Sequence, residues 1–245
     1  MSRDHKADDP LPTVSTWLSR FPVILPAAGS SRRMGRPKLI LPWRGTTVLA
    51  RVVEEFARGG AGPIVVVTPP RQHEGLELLV RSVEVLNLAV HVQWVVPEEP
   101  TPEMKASILM GLDALHPLSS STPAPPAFLL APADSVGVRA DLVRRVIRSF
   151  DPAQPQRIIV PTRRSDARQG HPVLIPWPLV EAIRALPDEA GVNALLKDEA
   201  LRRRLGIAEF PVEPLLMEDG EFLHDLDTPE DYQRLLARDP SAEQA

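Results

Sequence analysis

The residues best suited to chemistry lie in one segment, Leu25-Pro-Ala-Ala-Gly-Ser-Ser-Arg-Arg-Met-Gly-Arg-Pro-Lys38. An apolar run, Phe21 to Leu25, feeds a loop holding two glycines, two serines, three arginines and a lysine. Gly29 and Gly35 let a backbone turn tightly and bring N–H groups close to phosphate oxygens. Arg33 as a fork and Lys38 as a point charge can neutralise a triphosphate. The spacing is not that of a Walker A loop, which needs four residues between its glycines and a lysine directly after the second. Here Lys38 lies beyond Gly35-Arg-Pro. Composition alone leaves a solvated basic loop equally open.

Such a loop must be held by regular structure, and the sequence alternates accordingly. Phe21–Leu25 reads as a first strand. Thr47–Arg58 is a helix with Val48, Leu49, Val52, Val53 and Phe56 on one face, stopped by Gly59 and Gly60. Pro63–Thr68 is a β-branched, buried type of strand. A helix over Gly75–Val85, a strand over Val90–Val96 and a helix over Glu103–Leu115 follow. After a Ser/Thr/Pro-rich loop (Pro117–Pro126) come a strand over Ala127–Ala131, a helix over Arg139–Phe150 and a strand over Arg157–Pro161. This order predicts an α/β fold whose mostly parallel sheet is covered on both faces. Ligands of such sheets bind beyond the carboxyl ends of the strands, here just after Leu25, Ala131 and Pro161. Thr162–Pro214 reads as a less regular lobe over that edge. Thr228-Pro-Glu-Asp231 starts a last helix, with Thr228 as cap, Pro229 in the first turn and Asp231 closing a capping box.

A chain of 245 residues suits one sizeable domain, expected over 21–237, between an N-terminal arm at 1–20 and a tail at 238–245. The net charge of −4 gives no basic excess to attract nucleic acid or an anionic membrane, so cations must be concentrated locally. No cysteine is present, which excludes disulfides, thiolate metal sites and cysteine nucleophiles and fits a cytoplasmic protein. No apolar run approaches the roughly 18 residues of a membrane span, and the polar N-terminus lacks a signal-peptide core.

The loop resembles the signature of the MobA/MocA-like molybdenum cofactor nucleotidyltransferase family, L-A-A-G-x-S-x-R-M-G-x-x-K-L-L-L-P. Ala27, Ala28, Gly29, Ser31, Arg33, Met34, Gly35, Lys38, Leu39, Leu41 and Pro42 match it. Later segments resemble the family in the same order: Met104-Lys-Ala-Ser-Ile-Leu-Met-Gly-Leu112, Leu130-Ala-Pro-Ala-Asp134, Gly170-His-Pro-Val173 and Asp225-Leu-Asp-Thr-Pro-Glu-Asp231. Within the loop Pro26 replaces the family's leucine and Ile40 is a mild change, and two later segments also depart. Asp134-Ser-Val stands where the family often has Asp-Gln-Pro, and Asn193 stands where Glu189-Ala-Gly-Val-Asn193 would end in arginine. The two later departures bear on the acceptor.

The resemblance implies a three-layer α/β/α, Rossmann-like nucleotidyltransferase fold with a small C-terminal acceptor lobe. It implies transfer of a nucleoside monophosphate from an NTP to an acceptor phosphate, with loss of pyrophosphate. Arg33, Lys38 and Asp134 would be catalytic. Ala27, Ala28, Gly29, Ser31, Arg33, Gly35, Lys38 and Ser107 would bind nucleotide. Mg²⁺ favours one or two carboxylates plus phosphate oxygens. Asp134 would hold it with Asp227 or Asp225; the latter two share a side of the chain if it is extended there, and Asp227 is favoured for its place beside the helix start. His171 and Asn193 would face the acceptor. Read alone, each aspartate is a cap or turn residue and His171 is structural. The Ala-Ala-Gly form of the loop resembles cytidylyl- rather than guanylyl-transferring members and favours CTP over GTP. The implied acceptor is the molybdopterin form of the molybdenum cofactor, and the implied protein partner a molybdoenzyme or its chaperone. A sugar phosphate is the alternative acceptor. A non-catalytic nucleotide-binding accessory protein is the alternative of another class. A Rossmann oxidoreductase is disfavoured because G-x-G-x-x-G does not follow the first strand.

Overall fold

A computed structural model describes residues 21–29, 34–121, 124–187 and 189–238. Apart from Arg238, the two expected arms lie outside the described residues. Strand β1 (Val23–Pro26) leads through a two-residue ribbon, β2 (Pro42–Trp43) and β3 (Thr46–Thr47), into helix α1 (Val48–Arg58). Then come β4 (Ile64–Val67), α2 (Leu76–Glu84), β5 (Val92–Val95), α3 (Met104–Ser121), β6 (Ala127–Leu130) and α4 (Ala140–Arg148). The last third holds β7 (Ile158–Arg163), β8 (Val173–Pro176), α5 (Val180–Arg184), α6 (Ala194–Lys197), α7 (Glu199–Arg204), β9 (Val212–Met217) and α8 (Pro229–Ala237).

Seven strands form one sheet in the order β5-β4-β1-β6-β8-β7-β9. β1 pairs in parallel with β4 (Val23 beside Ile64) and β6 (Ile24 beside Leu130). β8 runs antiparallel to both of its neighbours. Side chains alternate between two cores, as the two-residue period of a strand requires. Val23, Leu25, Ile64, Val66 and Leu129 meet α1, α2, α4 and α8 on one face. Ile24, Val65, Val67, Phe128 and Leu130 meet α3 and the short helices α5 to α7 on the other. The result is the three-layer α/β arrangement expected from the alternation.

Local chemistry explains the helix ends. Thr47 caps α1 by accepting from Ala50 N at 3.2 Å. Arg139, ahead of α4, supplies no side-chain cap. Glu55 of α1 supplies one instead, accepting the Ala140 N–H while pairing with Arg51. Thr228 and Asp231 form the expected capping box on α8, with Pro229 in its first turn.

Two expectations are revised. Helix α3 runs past Leu115 to Ser121, through Pro117. A proline there removes one backbone hydrogen bond but keeps helical dihedrals. The region 162–214 is more regular than its sequence suggested. It contains β8, which inserts between β6 and β7, and the start of β9, which closes the sheet edge beside β7. β8 is four residues long, too short for a periodic signal, and β9 carries Pro214, tolerated because the strand lies at an edge.

Candidate active site

The chain leaves β1 toward β4 on one side and later returns to β6 on the other. The loops after β1 and β6 therefore diverge, opening the crevice where open α/β sheets bind ligands. Ala27 N is anchored to Val67 O (2.7 Å) and Ala133 N to Pro26 O (3.1 Å), which ties the two loop mouths to the sheet. A cleft of about 610 Å³ opens there. Ala27, Ala28, Gly29 and Lys38 line one wall, Thr101, Met104 and Ser107 the second, and Asp134, Asp225 and Asp227 the floor.

Lys38 begins a single 3-10 turn, Lys38–Ile40, whose Leu39 is buried. Gly35 precedes it with φ at +65°, a left-handed turn that side-chain-bearing residues rarely adopt. From this turn the Lys38 ammonium donates to Asp134 and to Leu226 O (2.8 Å) and stands 3.7 Å from Asp227 Oδ1. One cation thus sits among carboxylates separated by more than ninety positions in the chain. Asp134 is held in turn by its own backbone, its carbonyl accepting Leu226 N at 3.3 Å.

Asp225 lies deeper. Ser135 Oγ, fully buried, donates to its Oδ1 at 2.8 Å. Burial, then the neighbouring Asp134 charge, raise the Asp225 carboxyl to about 6, against the opposing Ser135 hydrogen bond. Ser107 is buried in the first turn of α3 and shares a 2.9 Å hydrogen bond with Thr101. Ser31 and Arg33 lie outside the described residues.

A second hollow of about 460 Å³ adjoins the cleft and shares Pro26, Met104, Pro132 and Asp225 with it. Its walls are mostly aliphatic, including Ile108, Val173, Val192 and Leu195, with His171 and Asn193 as polar members. His171 is buried against the Leu130 backbone, and its Nδ1 has no hydrogen-bond partner among the described residues. Burial holds its imidazole below the ordinary range of histidine. Gly170 precedes it because an added Cβ would stand 2.5 Å from the Phe222 ring. Asn193 precedes α6 without capping it by its side chain. The structure therefore gathers Ala27, Ala28, Gly29, Lys38, Ser107 and the three aspartates around the cleft, and sets His171 and Asn193 in the hollow beside it.

Two polar residues escaped the sequence reading. Ser135 carried a signal, because it occupies the position where the chain departs from the family. Lys105, buried in α3, donates to Leu186 O (2.7 Å) and Pro187 O (2.9 Å), fastening the segment after α5 to the hollow. Its only signal is that it sits beside Met104 in a family-like segment.

Among the described residues no three His, Cys, Asp or Glu side chains form a ready cluster for a metal. Mg²⁺ itself takes one or two carboxylates, completed by phosphate oxygens and water. The donor chemistry fits such an ion: Lys38 already places a positive charge between Asp134 and Asp227. No helix among the described residues is long and apolar enough to cross a membrane.

Comparison with known proteins agrees with this fold. Nicotine blue oxidoreductase of Paenarthrobacter nicotinovorans is 26% identical over 217 residues, covering 87% of this chain and 95% of that protein. Rv0371c of Mycobacterium tuberculosis superposes with a TM-score of 0.68 at 23% identity, covering 90% of this chain and 99% of that one; it has also been crystallised as a manganese complex. The nucleotidyl transferase Mth528 of Methanothermobacter thermautotroptrophicus superposes with a TM-score of 0.67 at 21% identity, over 89% of this chain and 96% of that one. Residues 23–204, most of the chain, match the MobA-like NTP transferase domain, and the chain belongs to that family of nucleotidyltransferases.

Proposed function

We propose that the protein transfers CMP from CTP to a phosphorylated acceptor, the molybdopterin form of the molybdenum cofactor, and releases pyrophosphate. The observation that carries this reading is the Lys38 ammonium seated among Asp134, Asp227 and the Leu226 carbonyl at the floor of the switch-point cleft. An acceptor phosphate oxygen forms the new bond to the α-phosphorus while the α–β bridging P–O bond breaks and its electrons leave with pyrophosphate. An acceptor phosphate is already ionised near neutral pH, so no strong base is needed, and catalysis rests on positioning and charge balance. Asp134 and Asp227 would hold Mg²⁺, with Asp225 the alternative second carboxylate. When bound, that ion supplies charge stabilisation at the transferred phosphate. Lys38, with Arg33 and the loop amides, would bind the β- and γ-phosphates. Ala27, Ala28, Gly29, Ser31, Gly35 and Ser107 would receive the nucleotide. The Ala28 methyl narrows the cleft wall and suits a pyrimidine. His171 and Asn193 would meet the acceptor in the hollow, whose aliphatic walls suit a flat heterocycle.

The test is pyrophosphate release from CTP, GTP, ATP and UTP with Mg²⁺ and molybdenum cofactor, beside an Asp134→Ala control. Release with CTP that vanishes in the control is expected. Release with another NTP refutes the CTP preference, and release that survives Asp134→Ala refutes the metal assignment. A redox reading has one observation in its favour: the relative from Paenarthrobacter is named an oxidoreductase. Consumption of NAD(P)H with a heteroaromatic acceptor, without pyrophosphate release from any NTP, would favour it.

A further inference from the structure

Lys105 is a lysine in a buried position, 8% exposed in the first turn of α3. Lysine is almost never buried without hydrogen bonds, because its nitrogen loses water at a large cost. Here Nζ donates to Leu186 O at 2.7 Å and to Pro187 O at 2.9 Å. Both carbonyls lie just beyond α5, where the acceptors left over at a helix end favour a basic side chain. They are 81 and 82 positions away in the chain, so the contact joins two separate walls of the site.

On the α3 side, Met104 and Ser107 stand before and after Lys105 and line the nucleotide cleft, with Ser107 fixed by its hydrogen bond to Thr101. On the other side, the segment that leaves Pro187 supplies Gly191, Val192, Asn193, Leu195 and Leu196 to the hollow. That segment has little regular structure of its own. α6 is four residues long, too short to persist alone. The chain before it is held by single turns, Ala190 N to Pro187 O at 3.0 Å and Ala194 N to Gly191 O at 2.9 Å. Arg202 of α7 secures the far end, donating to Leu195 O at 2.9 Å. Arg184 of α5 also reaches α3, at Asp113, but that pair is exposed and such pairs contribute little. Lys105 is therefore a buried polar tie between the nucleotide wall and the acceptor wall.

We propose that Lys105 is a positioning residue that hangs the acceptor wall from the first turn of α3, so that a nucleotide settled against that turn also steadies the hollow. The inference rests on the nucleotidyltransferase reading for its two ligands and adds an order to them, the NTP preparing the place of the acceptor. The first N–H groups of a helix have no partner within it, so a first turn frays easily. Nucleotide contact restrains that turn, and the two Lys105 hydrogen bonds pass the restraint to Leu186 and Pro187. Shared order of this kind couples two sites without a change of shape. By linkage, the acceptor tightens nucleotide binding by the same factor as the nucleotide tightens acceptor binding.

The experiment is amide hydrogen exchange of the full chain with and without CTP and Mg²⁺. The reporters are the hydrogen-bonded amides of Ala194, Leu195, Leu196 and Asp198. In wild type, CTP is expected to slow them severalfold. In Lys105→Met, which keeps an unbranched side chain, that slowing should vanish while the amides after Ser107 still respond. Loss of both hydrogen bonds should also speed the reporters at least about tenfold without nucleotide. Arg184→Ala, which removes the exposed tie, is the control and should behave as wild type. A thermal melt verifies folding; if Lys105→Met does not fold, Lys105→Gln, which can donate to one of the carbonyls, takes its place with a partial loss expected. A CTP response of α6 that survives the loss of Lys105, or wild-type α6 amides that ignore bound CTP, overturns the proposal. With molybdenum cofactor as acceptor, Lys105→Met should raise the acceptor KM at least about tenfold while the KM for CTP holds; an unchanged acceptor KM also overturns it. If CTP does not bind to wild type in a calorimeter, the nucleotidyltransferase reading fails separately. The tie is then read from nucleotide-free exchange, where faster α6 amides in Lys105→Met support it and unchanged ones overturn it.

Discussion

Replacing Lys38 by methionine tests whether this ammonium marks the cation position of the site. The Lys38 and Asp134 side chains are 16% and 10% exposed, so their contact is nearly dry, whereas Asp227 is 49% exposed and its attraction to Lys38 is screened. Removing one partner of a buried pair leaves the other uncompensated, at a cost of about 3–5 kcal/mol. The lower end applies here, because the site is open on one side, so a loss of about 3 kcal/mol is expected without metal. In a chain of this size that lowers the melting temperature by about 6–12 °C. Magnesium should reverse the loss. It meets the same carboxylates without competing against the ammonium, and a ligand at about 100 times its dissociation constant contributes about 2.7 kcal/mol. The assay is urea or thermal unfolding of wild type and Lys38→Met, each with EDTA and with Mg²⁺, in the absence of nucleotide. The expected result is a variant much weaker than wild type in EDTA and raised more than wild type by Mg²⁺. Equal stability in EDTA, or an equal magnesium increment in both proteins, would falsify the assignment of Lys38 as the placeholder for the metal.

Asp225 and His171 should pull the pH dependence of stability in opposite directions. The folded Asp225 keeps its proton up to about 6, against 3.8 for an ordinary aspartate. The folded state therefore binds more protons in that window, and stability falls as pH rises through it, with the penalty complete above 6. Asp225→Asn, which can still accept from Ser135, should raise metal-free stability by about 2 kcal/mol at neutral pH and by little near pH 3.8; no gain at neutral pH in a urea titration would contradict the buried-charge account. His171 is depressed from 6.5 by burial, so the unfolded chain takes its proton first and stability is lost as pH falls below 6.5. His171→Asn should shallow that acid limb in the same titration, and an unchanged limb would show that the imidazole is protonated in place. Glu55→Ala removes the cap of α4 and one of the two carboxylates paired with Arg51, which keeps Glu54, and should cost about 2 kcal/mol by denaturant unfolding, with Glu55→Gln nearer about 1 kcal/mol; a loss below about 1 kcal/mol for the alanine variant would mean that water caps α4 as well.

The sequence by itself determined the parts of this protein that local pattern encodes. The β-branched run at Ile64–Val67 could only be a buried strand. The apolar stripe from Val48 to Phe56 could only be a helix against it, and Thr228-Pro-Glu-Asp231 could only open another. Strand and helix in turn imply the parallel sheet and hence the edge where ligands bind. The glycine and basic residues of 25–38 marked the loop at that edge, because a turn with a left-handed glycine and a nearby lysine is written in consecutive residues. Tertiary structure decided everything that depends on which distant segments meet. β8 carries no period long enough to read, so its antiparallel insertion between β6 and β7 emerged only when the sheet was assembled. The contact of Ser135 with Asp225, and the seat of Lys38 between Asp134 and Asp227, join positions some ninety apart or more. The aliphatic hollow around His171 and the tie from Lys105 to Leu186 and Pro187 have no trace in local spacing. Charge and burial act through space, and only the closed fold sets those distances.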